Sequence, residues 1–350
     1  MSYEYDRERE REIERRRRRR RKPPRRVRYD RIIGVAAIFI VILILFVSCV
    51  NSCGSDDTSS DTDSAIVPTS DKDKDSEKTK ATNADGEKEA DPKEDEASGD
   101  MEFTTISAMP NDIYKGDLIV VNKNYSYSFP TEEESTIKPI YELASGSYQY
   151  RDYVISLSEK TINAINQMMD AYYTNAGNNH IMVINGFKTK EEQDAVTDTD
   201  IKGGYSEYHT GMNFDLGIFP PGESSYYYTS EGSYSWISEN LANYGFILRY
   251  PEGKEDITGV SAKTYKFRYV GTPHALYMAE NNLCLEEYID EVKNYTSDGE
   301  HIRVSGGEAK YEIYYVPADP SANTEIPVPA DKHYTISGNN IDGFIVTVEV

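Results

Sequence analysis

Histidine and cysteine, the residue types that most often hold zinc or act as strong nucleophiles, are scarce in this chain. It has five histidines and three cysteines, and the histidines show no spacing typical of a metal site. No Gly-x-Ser-x-Gly turn is present to expose a nucleophilic serine. Cys284 follows Leu283 and precedes Leu285, so it is interpreted as a buried thiol. Because no other cysteine follows residue 53, neither a disulfide framework nor a cysteine zinc site is expected in the C-terminal body.

Four sequence blocks between Asn185 and Ala275 carry a family pattern. They cover residues 185–189, 206–215, 244–259 and 263–271. The second block aligns without a gap to the pattern Ser-x-His-x-x-Gly-x-Ala-x-Asp. In order and content the blocks resemble the VanY-type zinc D-alanyl-D-alanine carboxypeptidases of bacterial cell walls, with a weaker match from about Asp117 to Ile289.

The departures from this family pattern fall on its chemical residues. The resemblance implies a zinc ion held by two histidines and one aspartate, a glutamate as general base and an arginine for substrate binding. Only the aspartate is kept, as Asp215. The histidine positions are Tyr208 and Lys266, the glutamate position is Lys263 and the arginine position is Lys188. Tyrosine and lysine are protonated at neutral pH and are poor zinc ligands, so we expect no metal ligands, no bound zinc and no catalytic residue.

A displaced metal site is the alternative. His209 follows the vacant position by one residue, and adjacent side chains of an extended segment point to opposite faces. A shifted site of His209, Asp215 and His274 can still be drawn, and His180 opens a strand. Solvent-facing or core roles are the commoner outcome for such histidines.

Loss of zinc would leave Asp215 as an unpaired buried charge, which costs several kcal/mol unless a cation replaces the metal. Lys266 is predicted to be that cation, with Tyr208 adding a hydrogen bond. With Lys263 facing the cleft, the pocket becomes net positive and could hold a peptide carboxylate without cleaving it. The predicted pocket consists of Ser206, Tyr208, Asp215, Lys266, Lys263 and Lys188. The alternative is a vestigial pocket, with Lys188 and Lys263 in solvent.

The elements that must position these residues begin near Met101. The resemblance implies an α+β fold with a central, mainly antiparallel sheet flanked by helices, in a domain over residues 101–299. Ser158 can cap a helix whose apolar face is formed by Ile162, Ile165, Met169 and Tyr172. The other predicted helices cover 190–196 and 236–244, and the predicted strands cover 117–121 and 180–185. Short strands at 311–316, 324–328 and 344–348 predict a small β appendage over residues 300–350.

Residues 32–50 form 19 uncharged, almost wholly apolar positions. At ~1.5 Å per residue they reach roughly 29 Å, the thickness of the bilayer hydrocarbon core, so a transmembrane helix is predicted. Fifteen basic residues precede this span, which indicates a single-pass cell-membrane protein with a cytoplasmic N-terminus and an extracellular C-terminal domain. A cleaved signal, or lipidation at Cys49 or Cys53, is the alternative.

The charge of the chain is unevenly distributed. Residues 1–31 form a basic head with 15 basic and 7 acidic residues, although the whole chain has a net charge of −22. The head is expected to contact anionic lipid or a cytoplasmic partner. Residues 51–100 hold 16 acidic residues and 6 lysines, a composition typical of a disordered linker. Nucleic-acid binding by the acidic body is disfavoured.

The functional expectation is a membrane-tethered protein that acts at peptidoglycan. The carboxypeptidase-like domain is expected to be catalytically inactive and to bind stem peptides or a cell-wall enzyme. Two alternatives remain open: an active carboxypeptidase with an altered metal site, and a non-enzymatic linker between wall and cytoplasm. The 29 tyrosines, three of them consecutive at 226–228, also allow stacking on sugar rings.

Overall fold

The computed structural model describes residues 102–197 and 199–350, all within one compact unit. The predicted basic head, membrane span and acidic linker, residues 1–31, 32–50 and 51–100, lie outside this part. In the part of the chain that is described, no helix has the length and apolar character needed to cross a membrane. The predicted topology therefore stays a prediction.

Strands supply most of the described elements. In chain order they are β1 (Phe103–Ala108), β2 (Ile137–Pro139), β3 (Gln149–Tyr150), β4 (Ser156–Ser158), β5 (Ile181–Asn185), β6 (Asn213–Ile218), β7 (Tyr226–Tyr227), β8 (Phe246–Tyr250), β9 (Lys263–Tyr269), β10 (Ile302–Gly306), β11 (Ala309–Pro317), β12 (Thr324–Pro329), β13 (Tyr334–Gly338) and β14 (Gly343–Glu349).

The α-helices are α1 (Ile140–Leu143), α2 (Glu159–Ala176), α3 (Lys190–Asp194), α4 (Ser235–Asn240), α5 (Glu255–Thr258), α6 (Thr272–Glu280) and α7 (Leu285–Val292). Short 3₁₀ turns cover Pro110–Tyr114, Glu207–Thr210, Gly232–Tyr234 and Leu241–Tyr244.

The central sheet has the strand order β3-β5-β6-β9-β8, and β7 pairs with β6. The β3–β5 pairing is parallel, whereas the other pairings are antiparallel. Helix α2 packs its buried face against this sheet in one continuous apolar core. The expected α+β architecture with a mainly antiparallel central sheet is thus confirmed.

Helix α2 follows the sequence prediction closely. The Ser158 hydroxyl accepts a hydrogen bond from the main-chain nitrogen of Thr161 at 3.3 Å, which satisfies one free donor of the first turn. The four apolar residues named above are fully buried. Gly177 ends the helix at φ 68°, a left-handed conformation that glycine adopts without steric cost.

The predicted strand at 117–121 is wrong. This segment has irregular structure, although residues 118–121 are buried. Two of its main-chain nitrogens pair with the C-terminal region instead of a strand ladder: the nitrogen of Leu118 donates to the Ser337 hydroxyl at 2.9 Å, and that of Val120 to the carbonyl of Asn339 at 3.1 Å. Because these partners lie more than 200 residues away, local pattern could not distinguish this buried segment from a strand.

Two predicted helices differ from their expected form, one in its end and the other in its continuity. Helix α3 stops at Asp194 and not at residue 196. The predicted helix at 236–244 is divided into α4 and the 3₁₀ turn Leu241–Tyr244, after which Gly245 terminates it at φ 79°.

The C-terminal strands form a four-stranded antiparallel sheet with the order β10-β11-β14-β13. Strand β1, from the other end of the described chain, pairs antiparallel with β12. Residues of α7 such as Leu285 and Ile289 share an apolar core with Ile302, Ile313 and Ile345 of the sheet. The strands after residue 300 are therefore packed directly on the helices that precede them, and the boundary at residues 299 and 300 stays a prediction.

Candidate ligand-binding site

Three adjacent strands bring the predicted pocket residues together. On β6, Asp215 lies opposite Asn185 of β5 and opposite Lys266 of β9. Directly opposed residues of an antiparallel pair project to the same face of the sheet. The 3₁₀ turn Glu207–Thr210, immediately before β6, supplies Tyr208 to the same group.

The Asp215 carboxylate is the centre of this cluster. The Lys266 ammonium nitrogen lies 2.6 Å from its Oδ1, and the Tyr208 hydroxyl donates to its Oδ2 at 2.6 Å. The Asn185 side-chain amide also donates to Oδ2, at 3.3 Å. Lys266 additionally donates to the Tyr208 hydroxyl oxygen. The predicted ion pair between Lys266 and Asp215 is confirmed, with side-chain exposures of only 13% and 8%.

Burial and charge shift the pKa values of the groups around Asp215. Burial lowers the pKa of the Lys266 ammonium, the adjacent Asp215 carboxylate opposes this shift, and Lys188 and Lys263 add to it. Burial, followed by the Asp215 charge, raises the pKa of Tyr208 well above its ordinary value. Tyr208 is therefore a neutral hydrogen-bond donor at neutral pH. The 2.6 Å contact between the Lys266 ammonium and the Asp215 carboxylate favours the charged form of Lys266.

Two further lysines add positive charge to the cluster. Lys188 lies with its ammonium nitrogen 5.4 Å from the centre of the Tyr208 ring, and both Lys188 and Lys263 are half-buried. Within residues 102–197 and 199–350, neither forms an ion pair with a carboxylate. Three lysines thus surround one carboxylate, so this site, named here the lysine cleft, is net positive.

The lysine cleft lies within a region that a sequence model of the VanY family, described as D-alanyl-D-alanine carboxypeptidase, matches over residues 154–272. A D-alanyl-D-alanine carboxypeptidase of Enterococcus faecium is 35% identical over 264 residues, which cover 72% of this chain and 82% of that relative. The chain belongs to the VanY-type D-alanyl-D-alanine carboxypeptidase family. The resemblance seen in the four sequence blocks is thus confirmed.

Other relatives extend this family assignment. The putative carboxypeptidase YodJ of Bacillus subtilis (strain 168) is 29% identical over 245 residues, covering 63% of this chain and 88% of YodJ. The solved structure of the vancomycin-resistance D,D-dipeptidase VanXYg, in complex with a D-Ala-D-Ala phosphinate analogue, is 31% identical. It superposes with a TM-score of 0.62 over 71% of this chain and 100% of that chain. This VanY-type chain therefore has the DD-peptidase fold.

The zinc ion implied by the VanY-type family does not fit the residues at Asp215. One histidine position holds the Lys266 ammonium, which has no lone pair while it is charged, and the other holds the neutral hydroxyl of Tyr208. Both already bind the aspartate. In the described ranges, no group of three or more His, Cys, Asp or Glu side chains is arranged to hold a metal ion.

The displaced site drawn from His209 and His274 is not supported by their contacts. His209 Nδ1 donates to the carbonyl of Lys188 at 2.6 Å, and its Nε2 accepts from the main-chain nitrogen of Gly204 at 2.8 Å. His274 Nδ1 lies 2.6 Å from the Tyr288 hydroxyl, and its Nε2 lies 3.0 Å from the Thr347 hydroxyl. Both imidazoles therefore use both nitrogens in hydrogen bonds within the fold.

A buried ionic network supports the turn that carries Tyr208. Glu207 contacts Arg249 at 3.0 Å and Arg268 at 2.5 Å, and Arg249 forms two hydrogen bonds with Glu286, at 2.6 and 2.9 Å. Burial acts to raise the pKa of Glu207, but the two arginines outweigh it and hold that pKa below its ordinary value. Glu207 and Glu286 were missed by sequence reasoning. The sequence did offer a signal for them: Arg249 and Arg268 lie within largely apolar segments, and buried arginines need carboxylate partners.

Other predicted site residues have more peripheral positions. Ser206 is buried and its carbonyl accepts from the nitrogen of His209 at 3.1 Å, but its hydroxyl makes no hydrogen bond to Asp215 in the described part of the chain. Cys284 is buried as predicted, and burial raises the pKa of its thiol to about 11. Asn185 was missed as a partner of Asp215, although it begins the first family block.

Proposed function

We propose that this protein is a membrane-tethered, extracellular member of the VanY-type family that binds D-alanyl-D-alanine stem peptides of peptidoglycan without cleaving them. The observation that carries the proposal is the 2.6 Å ion pair between Lys266 and Asp215. These are two positions at which the family resemblance implies zinc ligands. Recognition of such peptides is supported by the family, whose Enterococcus faecium relative is a D-alanyl-D-alanine carboxypeptidase. It is also supported by VanXYg, which was solved with a D-Ala-D-Ala phosphinate analogue.

The charge of the lysine cleft favours a carboxylate ligand. Lys266 is already paired with Asp215, whereas the ammonium groups of Lys188 and Lys263 have no carboxylate partner among the described residues. The C-terminal carboxylate of a stem peptide has the negative charge that could pair with these two ammonium groups. Lysine binds an anion as a flexible point charge, so carboxylate capture does not require the lost arginine.

The same cleft lacks the groups that peptide hydrolysis by this family requires. Hydrolysis needs a Lewis acid to polarise the scissile carbonyl and a base to activate water. The two oxygens of Asp215 already accept from Tyr208, Asn185 and Lys266, and the position of the glutamate base is a lysine. Among the described residues of the cleft, these contacts support binding of a charged ligand without cleavage.

The binding step can be tested with full-length protein in detergent micelles. A synthetic stem peptide that ends in D-Ala-D-Ala is titrated by calorimetry, beside the same peptide with a C-terminal carboxamide. We expect the carboxamide to bind about tenfold more weakly or worse, since a hydrogen bond to a charged group contributes ~1.5–3 kcal/mol. The variant Lys188→Ala/Lys263→Ala should show the same loss, whereas Lys138→Ala, an exposed lysine of β2, should bind normally. Equal affinity for both peptides would contradict carboxylate capture.

The family assignment also favours a second candidate function, an active carboxypeptidase with an altered metal site. The 35% identity to the Enterococcus faecium carboxypeptidase is the observation that favours it. Mass spectrometry of the peptide after incubation separates the two functions. We expect the peptide to be recovered intact. If the peptide loses one D-alanine, and a chelator prevents this loss, the second candidate function is established.

The tether is part of the same proposal. Residues 32–50 would span the cell membrane, with the basic head on anionic lipid of the inner leaflet and the linker reaching the wall. A protease applied to intact cells should cleave the C-terminal domain and spare the head. Cleavage of the head alone would reverse the orientation. If the stem peptide does not bind, the other partner expected from the sequence, a cell-wall enzyme, becomes the candidate.

A further inference from the structure

A second cavity lies apart from the lysine cleft. It has a volume of about 1040 Å³, is open to solvent on one side and is bordered by the 3₁₀ turn Pro110–Tyr114, residues 127–131 and helix α2. Neither Asp215 nor any lysine of the cleft belongs to its lining. This volume is at the upper end of that of small-molecule sites, about 300–1,000 Å³, so the cavity has room for a ligand of several rings.

The C-terminal strands hold one wall of this cavity in place. The main-chain nitrogen of Gly338 donates to the carbonyl of Lys115 at 2.8 Å, and that of Asn340 donates to the carbonyl of Ile113 at 2.8 Å. A Cβ atom at Gly338 would lie 2.2 Å from the carbonyl oxygen of Ile113, so this close approach requires glycine. The wall is therefore fixed to the C-terminal sheet before any ligand binds.

The charges that line the cavity disfavour an anionic ligand. Lys115 contacts Asp112 at 3.3 Å and Glu134 at 3.4 Å, and Lys160 contacts Asp117 at 2.6 Å. Both lysines are thus already paired, and these three carboxylates outnumber them. An uncharged ligand fits this balance better than a phosphate or a peptide carboxylate.

Exposed side-chain amides supply hydrogen-bonding groups at the border of the cavity. Asn111, Asn163 and Gln167 line the cavity, and none of their side chains makes a hydrogen bond within the described residues. Asn163 and Gln167 are four residues apart on α2 and so lie on one face of the helix. Each amide offers both a donor and an acceptor. It can therefore pair with both the N–H and the C=O of an acetamido group.

Aromatic rings complete the lining. Tyr127 and Phe129 form an edge-to-face pair with ring centroids 4.9 Å apart, and Phe129 remains 43% exposed. Tyr244 and Tyr269 also border the cavity. Exposed aromatic faces stack on the C–H faces of sugar rings, and tyrosine adds a polar hydroxyl.

We propose that this cavity binds an uncharged, N-acetylated sugar of a glycan chain. The aromatic rings would stack on the sugar, while Asn163 and Gln167 would bind its acetamido and hydroxyl groups. In this proposal the C-terminal sheet supports the sugar site, because it holds the 3₁₀ turn Pro110–Tyr114 in place. This inference goes beyond the proposed peptide binding and does not depend on it.

Titration of the full-length protein with the β-1,4-linked trisaccharide of N-acetylglucosamine tests the assignment, with maltotriose as a neutral sugar that lacks acetamido groups. The variant Asn163→Ala/Gln167→Ala should weaken trisaccharide binding about tenfold, as expected for lost hydrogen bonds. Phe129→Ala should weaken it about fivefold through lost stacking. The controls are Asn175→Ala, an exposed amide on α2 outside the cavity, and Phe219→Ala, which is 49% exposed. Both controls should bind as the wild type does.

Three results would overturn the proposal. The first is that the wild type does not bind the trisaccharide, and the second is that maltotriose binds equally well. The third is that the cavity variants weaken binding of the stem peptide and leave sugar binding unchanged, which would assign the cavity to the peptide. Loss of peptide binding in Lys188→Ala/Lys263→Ala concerns the lysine cleft alone, so the two proposals fail separately.

Discussion

Lys266 and Asp215 lie opposite each other on β9 and β6, with the ammonium nitrogen 2.6 Å from Oδ1 of the carboxylate. Both side chains are largely buried, where an unpaired charge is costly. A cation on the chain thus neutralises the aspartate that a zinc ion neutralises in the pattern of the VanY-type family. The ion pair keeps this carboxylate neutralised within the central sheet.

The first prediction concerns the asymmetry of this ion pair. Lys266→Met should destabilise the protein by roughly 3–5 kcal/mol, because it leaves the Asp215 carboxylate buried without its cation. The double variant Lys266→Met/Asp215→Leu should cost much less, since no charge is left unpaired. Urea unfolding monitored by circular dichroism measures both. A double variant as unstable as the single one would show that the charge is not the cause.

The second prediction concerns Glu207, which lies between Arg249 and Arg268. Glu207→Gln should lower the free energy of unfolding by roughly 3–5 kcal/mol at neutral pH, because two buried guanidinium groups lose their shared carboxylate. Glu223→Gln, at an exposed glutamate, is the control and should unfold at the wild-type urea concentration. An unchanged urea midpoint of unfolding for Glu207→Gln would show that the ionic network does not stabilise the turn that carries Tyr208.

The stabilisation that the Glu207 network contributes should decrease as the pH is lowered into the acid range. The folded-state pKa of Glu207 is below its ordinary value, so the unfolded chain binds this proton more readily than the folded protein. The stabilisation is therefore present above the unfolded-state pKa of ~4.3 and is lost as pH falls through the lower folded-state pKa.

The third prediction concerns His274 and the pH range from 7 to 5. Burial lowers the pKa of His274 to about 3, whereas an unfolded histidine binds a proton near pH 6.5. The unfolded state therefore gains protons first, and the free energy of unfolding should fall as the pH is lowered through this range. His274→Gln should show a shallower fall in urea titrations. Because burial also lowers the pKa of His209, part of the slope should persist. An identical slope in the variant would contradict the assignment.

Some of these relationships were predictable from the sequence and others were not. The Ser158 cap and the α2 face follow from local pattern, and the Lys266–Asp215 pair follows from the family blocks together with the cost of a buried charge. The pairing of β1 with β12 joins the two ends of the described chain, and no local pattern encodes such a partner. The same is true of Leu118 and Val120, whose main-chain nitrogens donate to groups beyond residue 330. It is also true of Glu286, which meets Arg249 only through the fold.

The fourth prediction restores the family pattern. Tyr208→His, Lys266→His and Lys263→Glu together should create a zinc site with Asp215, because neutral imidazoles and a carboxylate replace an ammonium and a hydroxyl. Zinc binding is measured by calorimetry, and weak release of D-alanine is the accompanying expectation. Adding Asp215→Asn to the triple variant should abolish zinc binding. A triple variant that folds but binds no zinc would show that the backbone at β6 and β9 no longer supports the metal geometry.

The zinc content of the wild-type, full-length protein is the most direct test of the claim that Lys266 occupies the position of the metal. The protein is expressed with zinc in the medium, purified without chelator and measured by elemental mass spectrometry beside the triple variant. The ion pair between Lys266 and Asp215 predicts no stoichiometric zinc in the wild type and about one zinc per chain in the triple variant, as in a three-ligand zinc site. One zinc per wild-type chain would contradict the account.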